Sequence, residues 1–159
     1  MSRDEKVELP PTDIEVEAIS VVSCDFRDQL FSQVVVGGSP ADPQLDQPTG
    51  VEVTPEISVW FSGDNKRAIV SLAVRVSPET QPSWVARVEV IGRYRSGENP
   101  IMPLKRFAWN NGVAYLVPYV RERLASLTAA SDYQTYQLPP LSVAKLRELA
   151  AHPASADSA

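Results

Sequence analysis

The stretch NNGVAYLVPYVRERLASLTAA, residues 110–130, decides the fold. Within it Val113, Leu116, Val117, Val120, Leu124 and Leu127 recur at steps of three and four, the spacing that places side chains on one face of an α-helix. Arg121, Glu122 and Arg123 lie largely off that stripe. The helical pattern begins after Pro103, and Asn110 or Asn111 is placed to cap its start. Pro118 falls inside the pattern, where a missing N–H is expected to kink the helix unless it starts later.

Downstream, the tyrosine-rich link SDYQTYQLPP, residues 131–140, leads to a second apolar pattern. Ser142 is a natural N-cap for a short helix whose face carries Leu146 and Leu149, and which should end at His152-Pro153. Upstream, the period changes from helix to strand. Ile57, Val59 and Phe61 share one face, Ser58 and Trp60 the other, and Gly63-Asp64-Asn65 supplies a hairpin turn. Val70, Leu72, Val74 and Val76 form the face of the next strand. Trp84, Ala86, Val88 and Val90 then alternate with Arg87, Glu89, Arg93 and Arg95. Short connections make these three strands antiparallel neighbours, because a parallel return needs a crossover of a dozen or more residues. Ile14, Val16 and Ala18 alternate with Glu15 and Glu17 as a further strand, and a slip of phase at Ala18 to Ser20 predicts a bulge.

Strands first and helices last predict an α+β fold: a four-stranded antiparallel sheet followed by a long helix and a short C-terminal helix. Residues 1–12 read as a flexible N-terminal arm, 13–152 as one domain and 153–159 as a disordered tail. FSQVVVGG, before the proline-rich loop at 40–50, is either an extra strand or a loop packed on the core.

Composition excludes several functions. The net charge of −5 argues against nonspecific nucleic-acid binding. No apolar run approaches the ~20 residues that span a bilayer, so no membrane insertion is expected. MSRDEKVELPPTD lacks the apolar core of a secretory signal, which predicts a cytoplasmic protein. One cysteine, Cys24, and one histidine, His152, cannot form a metal cluster, so no metal or other cofactor is expected. Cys24 reads as a small buried hydrophobe and His152 as a helix-end residue. Glu15 and Glu17 read as a solvated face rather than an acid–base pair. Gly37-Gly38 and Gly63 match no phosphate-binding loop. An enzyme is therefore the weakest reading. Apolar surface is the stronger signal: with Trp60 beside the Ile57 face, the sheet is expected to be apolar on both sides, and two helices cover only one.

VPYVRE, residues 117–122, resembles the helix signature Phe-Pro-Tyr-x-Arg-Glu of SecB, the bacterial export chaperone, with Val117 in place of the phenylalanine. QLPPLSVAKL, residues 137–146, is similar to that family's Leu-x-Pro-Val/Leu-Asn-x-x-x-Leu segment, with Ser142 in place of the asparagine. Pro55-Glu56-Ile57 is a weaker match to the approach to its second strand. The resemblance spans about Ile14 to Leu149. It implies a homotetramer, a dimer of dimers with long helices packed between two sheets, that holds unfolded polypeptide clients in apolar grooves without ATP. Carried over, Ile57, Val59 and Phe61 would form the groove floor, and Leu146 and Leu149 its wall. Tyr133, Tyr136 and Leu138 in the link would add to it, and Leu116, Val120, Leu124 and Leu127 would form the oligomer interface. Ser23, Arg27 and Arg87 stand where the export chaperone carries the acids that dock the SecA motor, which disfavours that partner. The alternatives to an export holdase are a SecB-like chaperone of a toxin-antitoxin system and an adaptor dedicated to one folded partner.

Overall fold

The computed structural model describes residues 14–28, 50–79, 84–130 and 135–151. The expected arm and tail, the FSQVVVGG segment, Tyr133 and His152 lie outside the described residues. Strands β1 (Ile14–Asp28), β2 (Val51–Phe61), β3 (Arg67–Pro78) and β4 (Trp84–Ser96) form one antiparallel sheet in the order β1-β4-β3-β2. The β2–β3 turn is the expected one. Asn65 takes the left-handed conformation (φ 54°), its N–H donates to the Ser62 carbonyl at 2.9 Å, and Asp64 accepts from the Ser62 hydroxyl and the Lys66 N–H. Those two donors hold the Asp64 carboxyl below the usual range.

β1 carries two register shifts, at Val16/Ala18 and at Val21/Ser23. The first lies beside the expected phase slip. The second leaves Val22 unpaired and 51% exposed.

The inner face is the core. Val70, Leu72, Val74, Val76, Val88, Val90 and Tyr94 are buried there beneath the long helix. The outer face departs from the apolar surface expected of it. Arg75, Arg87, Glu89, Arg93 and Arg95 occupy its central strands, with Ile69 and, beside it on β2, Trp60 as large exposed hydrophobics. Cys24 is also corrected: it is exposed, because it sits on the edge strand β1, which the long helix covers only in part.

Helix α1 runs through residues 104–129 as one 26-residue helix: α-helical at Leu104–Phe107, a wider π turn at Ala108–Gly112, and α-helical again over Val113–Ala129. Its start is earlier than a cap at Asn110 or Asn111 would allow. The Asn110 amide instead donates to the Arg106 carbonyl inside the helix, at 3.0 Å. Pro118 is accommodated within the helix on an exposed position. The expected stripe is the buried one: Val113, Leu116, Val120 and Leu124 lie on the sheet. Helix α2 (Val143–Ala151) starts as expected, with the Lys145 N–H donating to the Ser142 hydroxyl at 3.1 Å, and packs on β2.

Candidate functional site

The apolar stripe of β2 faces inward, with Ile57 opposite Leu72, Val59 opposite Val70 and Phe61 opposite Ala68. All three stripe residues are half-buried, because β2 is an edge strand and α2 covers it only partly. Pro55 lies in mid-strand at this edge, where a missing N–H is tolerated and discourages further strand pairing.

The link between the helices is tied to α1 at two points. Arg121 donates through Nε to the Leu138 carbonyl at 2.9 Å. Thr128 Oγ1 donates to the Leu124 carbonyl at 2.9 Å and accepts the Tyr136 N–H at 2.8 Å. Leu138 is then driven into the core, and Tyr136 packs at 6.4 Å from the Trp84 ring. Burial pushes the Tyr136 hydroxyl up from its ordinary value. At the far end Arg147 of α2 donates to the Trp109 carbonyl and stands 5.7 Å from the Trp109 ring, a cation–π contact. Nothing in hydrophobic periodicity signalled Arg121, Thr128 or Arg147.

These ties change the expected groove. Leu146 and Leu138 are fully buried, so they belong to the subunit's own core and present no wall to a ligand. Leu149, Leu141 and Val143, on and just before α2, stay half-buried, and Tyr136 is half-buried against Trp84. The expected interface is corrected in the same way. Leu116, Val120 and Leu124 are 0% exposed inside this one chain, where no second subunit can touch them, and Leu127 is half-buried against the same core. The free side of α1 is the opposite one, with Tyr115 (48% exposed) and Tyr119 (44%) one turn apart. Tyr115 borders an open pocket of about 550 Å³ with Ile14, Val16, Ile101, Met102 and Phe107, and Val16 and Ile101 are themselves exposed.

No arrangement for bond-making chemistry appears among the described residues. Glu15 and Glu17 both turn to Arg95, at 2.7 and 3.8 Å. No group of three metal-ligating side chains occurs among them, and no helix is long and apolar enough to cross a membrane. On the outer face Arg87 donates to Ser23 and Glu89, each at 3.2 Å, and Arg27 pairs with Asp25.

No protein-family model matches the chain. By sequence it is 40% identical over 107 residues to uncharacterized protein MJ0357 of Methanocaldococcus jannaschii, an alignment spanning 64% of this chain and 68% of that protein. By structure it aligns with the Mycobacterium tuberculosis SecB-like chaperone Rv1957, solved with a ChAD peptide from the HigA1 antitoxin. The TM-score is 0.60 at 16% identity, over 82% of this chain and 88% of the other. The chain therefore has the SecB-like chaperone fold and belongs to the same family as the M. jannaschii protein.

Proposed function

We propose that this protein is an ATP-independent holdase that binds unfolded or non-native polypeptide along β2. The half-buried Ile57–Val59–Phe61 stripe carries this reading: it is an apolar strip at a sheet edge, left partly open by α2 on a fold used by chaperones. Hydrophobic burial is non-directional, so such a strip accepts many sequences. Assembly into a tetramer uses the free face of α1, through Tyr115 and Tyr119, rather than the buried stripe. The client is an unstable antitoxin segment in preference to an export substrate. Rv1957 holds an antitoxin peptide on the same fold, and Arg27 and Arg87 stand where acids would receive SecA.

Suppression of aggregation of a chemically denatured test protein, without nucleotide, tests the holdase directly. Full suppression near one tetramer per client is expected, and none at that ratio would sink the proposal. Phe61→Asp should weaken client binding while light scattering reports an unchanged assembly. Loss of the assembly would instead place Phe61 in an interface.

A further inference from the structure

The outer face of the sheet holds a cationic, aromatic corner that neither the core nor the groove uses. Across the ladder Trp60 faces Ile69, and Ile69 faces Arg93. Adjacent strands lie about 4.8 Å apart, so this row sets an indole, an isoleucine and a guanidinium side by side over about 10 Å. Trp60 is 54% exposed and Ile69 38%, in a chain whose other two tryptophans are buried or half-buried. One step toward the hairpin, Arg67 stands directly opposite Arg95. Like charges facing each other across a ladder oppose pairing, so the arrangement is not explained by sheet stability. Arg95 is answered by Glu15 and Glu17. The guanidinium groups of Arg67 and Arg93 have no carboxylate partner among the described residues. Lys66 joins Arg67 and Arg95 around an open cleft of about 450 Å³ at the same corner.

We propose that this corner docks an acidic peptide segment of a partner protein, one in which an apolar side chain and carboxylates follow one another at every second residue, on the same side of an extended chain. The apolar side chain lies on Trp60 and Ile69, and the carboxylates meet Arg93 and Arg67. Same-side residues of an extended strand are about 6.7 Å apart, the step between these rows. Glu15, Glu17 and Asp64 border the cations and repel a continuous phosphate backbone, whereas discrete carboxylates fit between them. Trp60 points away from Ile57, Val59 and Phe61, because alternate residues of β2 face opposite sides. A client in the groove and an acidic partner on this corner therefore bind together, which makes the corner a hand-over contact.

The test is fluorescence anisotropy with the full chain and a labelled peptide of about twelve residues in which Leu and Glu take turns at every second position, with Ser between them. Its Lys-for-Glu counterpart and an oligothymidylate of similar length serve as competing probes. The acidic peptide should bind, weakening about ten-fold between about 50 and about 200 mM salt. Arg93→Glu and Trp60→Ala should each raise its Kd about ten-fold. Arg67→Glu combined with Arg93→Glu should transfer binding to the lysine peptide, a gain that misfolding cannot produce. Excess unlabelled unfolded client should displace nothing. Displacement by client, tighter binding of the oligonucleotide, or indifference to Arg93→Glu would each overturn the proposal. Client binding measured in the same samples reports on the holdase separately.

Discussion

Replacing Gly92 by alanine should unseat the long helix, and the geometry sets how strongly. Gly92 lies on the inner face, between Ile19 and Val70. The Tyr94 ring leans over it, so that a Cβ on Gly92 would stand 2.5 Å from the Tyr94 hydroxyl and 2.8 and 2.9 Å from two ring carbons. The ring has nowhere to retreat. Gly112 of the π turn approaches it so closely that a Cβ there would lie 3.2 Å from Tyr94 Cε2, and Phe107 meets it edge-on at 5.4 Å. Gly92→Ala must therefore break the bond from the Tyr94 hydroxyl to the Gly112 carbonyl, now 2.7 Å. A buried donor left unsatisfied costs about 1–3 kcal/mol, and overpacking adds about 1–3 kcal/mol, so about 3 kcal/mol or more is expected. Tyr94→Phe, which removes only the hydroxyl, should cost about 1 kcal/mol. With leucine at position 94 the obstacle is gone. Gly92→Ala should then stabilise the strand by about 0.5–1 kcal/mol. Urea unfolding followed by circular dichroism across this double-mutant cycle measures the sign change. A cost below about 1 kcal/mol, or the same cost in both backgrounds, would refute the close-approach argument.

Arg121→Ala should cost about 1–2 kcal/mol through its bond to the Leu138 carbonyl and hasten proteolytic cleavage in the 135–142 link; an unchanged cleavage rate would show that the link is held by other means. Burial, with Tyr115 and Tyr119 adding to it, pushes the Tyr94 hydroxyl well above its ordinary value. The folded state thus keeps a proton that the unfolded chain releases above about pH 10. Its contribution is complete below that pH and is lost as pH rises toward the folded value. Urea midpoints should fall above about pH 10, less steeply in Tyr94→Phe, and equal slopes in the two proteins would count against this origin. If the proposed tetramer forms through α1, Tyr115→Asp with Tyr119→Asp should reduce it to smaller species in light scattering, and an unchanged mass would move the interface off this face.

The alternation of β2, β3 and β4 was legible because each strand has one buried face, and the α1 stripe because its buried residues recur at helical spacing. What escaped depends on bonds between distant segments. WNNG reads locally as a helix start, since asparagine and glycine compete with helical hydrogen bonding. Here it forms a π turn whose neighbourhood offers carbonyls to side chains: Gly112 to Tyr94, Trp109 to Arg147 and Arg106 to Asn110. The second bulge in β1 was hidden because Val22 is apolar yet exposed. The motif VPYVRERL also conveyed less than its match suggested. It marks the helix correctly, but the direction of each side chain had to come from the fold. Val120 and Leu124 turned to the sheet, and Arg121 to the link.

The same distinction separates residues that build the groove from residues that would use it. Leu146 is fully buried and fastens α2 to the core; its apolar surface is already removed from water in the free protein and has little to offer a client. Leu146→Ala should therefore destabilise by about 2–5 kcal/mol, the range for a buried leucine. Below its own unfolding transition, the folded variant should keep client affinity within about two-fold, because the accessible strip at Ile57, Val59 and Phe61 is unchanged. Phe61→Asp should do the reverse. Phe61 is half-buried at the end of an edge strand, so a carboxylate there keeps contact with water and costs less stability than the leucine truncation. It nevertheless places a charge in the strip that apolar side chains must cover. Paired measurements of urea midpoint and client-peptide anisotropy on the two variants give opposite patterns if the partition is right. If Leu146→Ala abolishes client binding while the protein remains folded, α2 itself is the ligand-contacting element and the strip on β2 is only its bed.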